Sequence, residues 1–161
     1  MTRDELLRLD DENLLRECRV ERMRGTGPGG QKRNVTESAV RIAHAESGVS
    51  AFSDTTRSQH RNRSEALARL RHELAVRIRR EPTGNPSLKA APGRRTPAYS
   101  IWIAEILDRM AANDYRLADT AHALQTTTSQ LVKLLADDLT AWECVNRERE
   151  KRRMGRLRPP K

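Results

Sequence analysis

Residues 82–97 hold four prolines (Pro82, Pro86, Pro92, Pro97) and two glycines (Gly84, Gly93). Each proline fixes φ and lacks a backbone N–H, so this stretch cannot sustain a regular ladder and reads as a surface linker. It divides a chain of 161 residues, long enough for one domain or for a small domain with an attached module but not for several independent cores. The partition that follows is residues 1–81, a linker at 82–97, a helical module at 98–146 and a basic tail at 147–161.

Hydrophobic spacing fills in the elements. Leu6, Leu7, Leu14 and Leu15 suit a short amphipathic helix over Asp4–Glu17, broken or capped near Asp10-Asp11. Cys18–Arg24 alternates, with Cys18, Val20 and Arg22 sharing a face, and reads as a strand. Ser38–Ala45 alternates through Val40 and Ile42, Glu46-Ser47-Gly48 supplies a turn, and Val49–Ser53 returns antiparallel. From Ser58 to Arg80, Leu67, Leu70, Leu74 and Ile78 recur at helical spacing beside Ala66 and Ala75, with arginines covering the other side. That helix is expected to pack on the sheet, which makes the first piece an α+β unit.

Beyond the linker, Ile103, Ile106, Leu107 and Met110 form another helical stripe. Leu117–Leu124 and Gln130–Leu135 are two short helices joined by Gln125–Ser129. Ala121 and Leu131 stand where a helix-turn-helix places its packing residues, but the turn lacks the glycine often found there, and a plain helical hairpin is the preferred reading. Trp102 and Trp142 sit among apolar helix neighbours as packing residues.

The net charge of +9 and pI near 10.5 point to a polyanionic partner. Nucleic acid is favoured over a membrane, because no apolar run approaches the roughly 20 residues that span a bilayer. The acidic Met1–Glu12 lacks the order of a secretory signal, so a cytoplasmic location is expected. Cys18 and Cys144 flank no metal-ligand spacing and read as free thiols. His44, His60, His72 and His122 show no two-ligand helical spacing and accompany no credible nucleophile, which leaves them packing or surface roles; no metal and no cofactor is expected.

Arg24-Gly25-Thr26-Gly27-Pro28-Gly29-Gly30-Gln31 concentrates four glycines and a proline in one loop. Gly25, Gly27 and Gly30 satisfy the dinucleotide fingerprint as a pattern, but the preceding strand is half charged and no helix starts after Gly30. A Walker loop fails because Gln31 stands where its lysine belongs. The blocks Gly-Pro-Gly-Gly-Gln, Asn34, Thr36-Glu37-Ser38-Ala39-Val40-Arg41 and Arg57-Ser58-Gln59 together resemble the catalytic domain of class I peptide chain release factors, over about residues 17 to 80. Lys32-Arg33-Asn34 replaces that family's usual His-Val-Asn, and Val35 stands where threonine or a basic residue is usual.

The resemblance implies a small antiparallel sheet with a packed helix and a protruding Gly-Gly-Gln loop, and hydrolysis of the peptidyl-tRNA ester on the ribosome. Gly29, Gly30 and Gln31 are then the catalytic candidates, with Gly27 and Pro28 as loop support. Glycines permit φ > 0 and close approach, so a backbone N–H can be aimed at charge developing in the transition state. The Gln31 amide does not titrate, so it orders water rather than acting as a general base. In the family this glutamine is methylated, which makes Gln31 a modification candidate. Ser58 is equally explained as a helix N-cap.

Arg24, Lys32, Arg33 and Arg41 are candidate RNA contacts. So are the tail cations Arg147, Arg149, Lys151, Arg152, Arg153, Arg156, Arg158 and Lys161, which against Glu148 and Glu150 give that segment a net of +6. The bland reading of such a run is a solvated, disordered tail that orders only when bound. Stop-codon-reading release factors also carry a Pro-Ala/Val-Thr or Ser-Pro-Phe tripeptide, absent from these residues; Pro82-Thr83 lies in the linker. The plan of catalytic domain, linker and basic C-terminus is similar to that of codon-independent ribosome rescue hydrolases, though the short ones lack the 98–146 module. The expected partners are the ribosome with its RNA and peptidyl-tRNA, bound by a monomer and without a membrane. The alternative is a non-catalytic RNA- or DNA-binding protein that uses its basic surface and the helix-turn-helix-like pair.

Overall fold

The computed structural model describes residues 1–24, 37–84 and 90–160, which form two compact units, Met1–Leu74 and Ala75–Lys161. The described residues carry seven helices and one three-stranded antiparallel sheet, an α+β fold as the periodicities predict.

In the first unit the break expected near Asp10-Asp11 is a helix cap. Helix α1 (Arg3–Arg8) begins with a capping box between Thr2 and Glu5, and the Asp10 side chain accepts from Asn13 N at 2.8 Å to start α2 (Asp11–Arg16). That backbone hydrogen bond holds the Asp10 carboxyl below its ordinary value. Strand β1 (Cys18–Met23) pairs with β2 (Ala39–His44), Cys18 opposite His44 and Met23 opposite Ala39. Strand β3 (Ser50–Ser53) returns on the other side of β2, with Ser53 opposite Val40. Gly48, at φ +69°, lets its N–H reach His44 O at 3.0 Å and close the turn. The His44 ring accepts from Ser47 N at 3.1 Å, so this histidine serves the turn.

The alternation in β2 is sharp, with Val40 and Ile42 buried and Arg41 exposed. In the edge strand β1 it is blunted. Cys18, Val20 and Arg22 lie opposite His44, Ile42 and Val40 and so share their face, yet only Cys18 is even half-buried. Helix α3 (Gln59–Arg77) buries Ala66, Leu67, Leu70, Leu74 and Ala75, while Ile78 lies past its end. The Ser58 hydroxyl accepts from Arg61 N at 3.3 Å, which is the N-cap reading of Ser58.

The expectation that arginines cover the solvent side of α3 fails at Arg71, which is only 3% exposed. Its Nη1 donates to Leu7 O at 2.9 Å and Leu9 O at 2.7 Å, and its Nη2 to Asp11 Oδ1 at 2.9 Å. The last carbonyls of a helix have no intrahelical donor, and Arg71 supplies one to the end of α1 while holding the start of α2.

In the second unit Asp108 accepts from Arg79 Nη1 at 3.0 Å and Arg80 N at 3.1 Å. Helix α4 (Pro97–Ala112) begins on the last proline of the linker stretch, since proline suits the first helical position where no N–H is needed. Ile103, Ile106, Leu107 and Met110 form its buried stripe. Helices α5 (Leu117–Ala123) and α6 (Thr128–Ala136) bury Ala121 and Leu131. Their turn manages without glycine because Gln125 itself takes the left-handed conformation, φ 53°, with Thr126 N donating to Ala121 O at 2.9 Å. Helix α7 (Leu139–Lys151) runs well into the segment read as a tail. The chain then turns back, with Leu157 buried and its N–H donating to Asn146 Oδ1 at 2.7 Å. Trp102 and Trp142 are half-buried, the former 5.5 Å from the Tyr99 ring.

Candidate functional site at the stem of the glycine-rich loop

Strands β1 and β2 are antiparallel neighbours whose register ends at Met23 opposite Ala39. The connection between them carries the whole catalytic set of the sequence reading. Gly27, Pro28, Gly29, Gly30, Gln31, Lys32 and Arg33 lie outside the described residues, as does Lys161. What the structure places are the two feet of that connection, Arg24 after the last residue of β1 and Glu37-Ser38 before the first residue of β2.

The second foot is held tightly. Ser38 is 5% exposed and Asn62, in the first turns of α3, is fully buried. Asn62 Nδ2 donates to Ser38 O at 2.7 Å and Thr56 O at 2.8 Å, while Oδ1 accepts from Thr56 N at 2.9 Å and Thr56 Oγ1 at 3.0 Å. Backbone N–H groups only donate and carbonyls only accept, so these partners fix which way the amide points. One turn further on, Glu65 accepts from Ser53 Oγ at 3.0 Å and from Thr55 Oγ1. Arg69 bonds the same carboxylate and donates to Phe52 O at 2.8 Å. The Thr55 hydroxyl leads in holding the Glu65 carboxyl below its ordinary value, with Ser53 and Arg69 adding to it against a burial cost. Thus the end of β3, the start of β2 and the first turns of α3 are one hydrogen-bonded block.

The described cations of the sequence reading divide into two groups. Arg24 is exposed; Arg41 is exposed too and donates to Ser50 Oγ at 3.3 Å. Arg147, Arg153 and Arg158 are exposed and make no ion pair or side-chain hydrogen bond among the described residues. Arg149 donates to Tyr115 O at 2.7 Å and Gly155 O at 2.9 Å. Arg152 stacks 4.6 Å over the Tyr115 ring and, with Lys151, pairs with Glu148. Arg156 bridges Glu143 and Glu150, both at 2.9 Å or less. To these the structure adds Arg57, Arg61 and Arg63, exposed and without an ion pair among the described residues.

Burial, with Glu17 adding to it, pushes the Cys18 thiol up to about 11, and burial raises Cys144 as well, so neither is a ready thiolate. Among the described residues no three His, Cys, Asp or Glu side chains gather as a metal site. No described helix is long and apolar enough to cross a membrane.

The periodicity reading missed Asn62, Glu65 and Arg71. For Asn62 a signal existed: it stands four residues before Ala66 and eight before Leu70, on the apolar stripe, where an asparagine is a poor helix former with no packing reason to be there.

The RF-1 domain family model matches residues 12–97. Peptide chain release factor 1 of Salinibacter ruber is 48% identical over 62 residues, 38% of this chain and 17% of that protein. Peptide chain release factor 1 of Leptothrix cholodnii is 36% identical over 126 residues, 76% of this chain and 32% of the relative. Peptide chain release factor RF2 of Thermus thermophilus is 37% identical over 113 residues, 66% of this chain and 28% of the relative. The chain spans no more than about a third of the length of these relatives. The family model covers more than half of the chain and includes the glycine-rich connection, its two feet and all of α3, so this chain belongs to the RF-1 domain family, the Gly-Gly-Gln domain of class I release factors.

Proposed function

We propose that this chain is a ribosome-dependent peptidyl-tRNA hydrolase that frees stalled ribosomes without reading a codon. The observation that carries the reading is an intact Gly29-Gly30-Gln31 within an RF-1 domain match, on a connection with one foot in β1 and the other locked to α3. In the reaction water adds to the ester carbonyl carbon of peptidyl-tRNA. The tetrahedral intermediate then expels the ribose oxygen, which takes up a proton, leaving a free peptide acid and a tRNA 3′ hydroxyl. Backbone N–H groups aimed at the developing negative charge lower this barrier without themselves titrating. Gly29 and Gly30 suit that task because nothing on Cα holds the backbone off a crowded RNA site. Gln31 orders the water and excludes larger nucleophiles, and is the residue we assign for side-chain methylation.

Codon independence is proposed because the plan of catalytic domain, linker and basic C-terminal segment is similar to that of codon-independent rescue hydrolases. Phosphate contact is assigned to the exposed cations Arg24, Arg41, Arg147, Arg153 and Arg158, with Lys32, Arg33, Lys161 and the engaged Arg149, Lys151, Arg152 and Arg156 joining them. The test is release of labelled peptide from stalled complexes displaying an empty decoding site, a sense codon or a stop codon. Equal release in all three is expected, and a strong preference for stop codons overturns the rescue assignment. Replacing Gly30 by Ala should cut release by roughly 10²-fold or more at unchanged ribosome binding. Release near the parent rate by that variant leaves RNA binding without catalysis as the function.

A further inference from the structure

We infer that Asn62 is a positioning residue for the hydrolytic loop, fixing the foot at which the loop rejoins the sheet. The inference rests on the hydrolase reading above. The last register pair of the β1–β2 hairpin is Met23 with Ala39, so the connection between them is long for a hairpin. Bringing together the ends of a longer connection costs more closure entropy, so a bond that holds one end in place bears on where the connection starts. The β1 foot leaves an edge strand that is exposed along nearly its whole length. The β2 foot is different. Ser38 precedes the first paired residue of β2, and its carbonyl is gripped by a side chain 24 positions away at 2.7 Å.

Asn62 uses its full hydrogen-bonding capacity on two targets, Ser38 O and the backbone and hydroxyl of Thr56. No oxygen or N–H of the amide is left to trade for water, and the group is fully buried. Such a clamp tolerates neither rotation nor a shift in register. A leucine would have continued the stripe of Ala66, Leu70 and Leu74 and served packing alone. An amide there gives up helix propensity and apolar burial in order to define where one residue of the loop stem sits. For a reaction governed by the aim of backbone dipoles, displacement of the supporting frame by about an ångström costs on the order of 10²-fold in rate.

The test is single-turnover peptide release at saturating protein, with ribosome affinity measured separately by sedimentation. Asn62→Ala should lower the saturated rate at least about tenfold while leaving the half-saturating concentration within about twofold. Arg71→Met, which breaks buried hydrogen bonds of the same unit at the end of α1, serves as a destabilised control and should keep the saturated rate at temperatures where both variants are folded. Asn62→Asp adds a signature that loss of stability alone does not give. The introduced carboxylate can accept from Thr56 but cannot donate to Ser38 O. Burial beside two carbonyl oxygens raises its pKa, so release by this variant should rise as pH falls, against a parent that shows no such rise.

If Asn62→Ala proves unfolded by circular dichroism, the pH series on Asn62→Asp decides. Parent-level rates for Asn62→Ala, or equal losses in Arg71→Met, overturn the positioning role while leaving the hydrolase reading intact. Absence of release by the parent chain overturns both.

Discussion

Arginines crowd two regions of this chain, and the two use them in opposite ways. At the start of α3, Arg57, Arg61 and Arg63 are exposed and make no ion pair among the described residues. Around the end of α7, Arg156 bridges Glu143 and Glu150, Lys151 and Arg152 share Glu148, and Arg149 is spent on the carbonyls of Tyr115 and Gly155. The second region has the larger formal charge but has partly neutralised itself. The first has an acid within helical reach, Glu65, four residues beyond Arg61, yet that carboxylate is already taken by Ser53, Thr55 and Arg69. Charge available to a polyanion is thus set by what neighbouring acids are doing, and a count of Lys and Arg overstates it.

Arg71 marks the far end of that contrast, an arginine withdrawn from the surface altogether, and its removal has the largest expected effect on folding. Arg71→Met leaves Leu7 O and Leu9 O without their donor. With one of these bonds buried and the other partly so, the loss should be about 2–4 kcal/mol, since each stranded buried acceptor costs about 1–3 kcal/mol. Asp11 adds little because its side chain is 72% exposed. Urea denaturation of the full chain measures it, with Arg156→Gln as the surface comparison. Equal midpoints for the two variants would show that burial does not separate these arginines.

The next effect is on the RNA affinity proposed above. Converting Arg57, Arg61 and Arg63 together to Gln should lower the slope of log K against log salt by roughly two to three, at about 0.7–0.9 for each phosphate no longer neutralised. The same change at Lys151, Arg152 and Arg156 should lower it by less, because those cations have glutamate partners to relinquish before meeting phosphate. Ribosome binding over a salt series with both triple variants gives the comparison directly. A larger drop from the C-terminal set reverses the ordering and makes the pairs around α7 dispensable on binding.

How much of this was legible in the sequence depends on the range of the interaction. Strand alternation, the leucine stripe of α3 and the caps at Asp10 and Ser58 are local, and the periodicities announce them. The stem of the loop is not local. Asn62 meets Ser38 across 24 residues and Arg71 meets Leu7 across 64, distances at which a single sequence carries no pairing information. An arginine on a helix looks the same in sequence whether it faces water or a buried carbonyl. The C-terminal run misled in the other direction, because its spacing of Glu143, Glu148 and Glu150 against Lys151, Arg152 and Arg156 builds a folded-back end onto α7 where composition alone suggests a loose tail. The glycines and the glutamine at 29–31 were legible as a family mark, since a motif carries a resemblance whatever the loop's shape.

The smallest effect probes why Arg61 is left unpaired. The Glu65 carboxyl is held below the ordinary carboxylate value chiefly by the Thr55 hydroxyl, and a depressed folded-state pKa has a definite sign. Whatever stability the group contributes is present at pH values above the unfolded carboxylate pKa of about 4.3 and is lost as pH falls through the lowered folded value. Thr55→Val removes the leading cause, so Glu65 should titrate closer to its ordinary value, read by carbon NMR of the labelled carboxyl. The difference in melting temperature between parent and variant should be steady near neutral pH and should shrink in acid. The oxygen that Thr55 releases then becomes available to Arg61 one turn away, and the variant should lose a little of its salt-dependent RNA affinity with no change at α7. An unmoved titration midpoint would mean that Ser53 and Arg69 alone hold the carboxylate, and that Arg61 is kept free by geometry and not by competition for its neighbour.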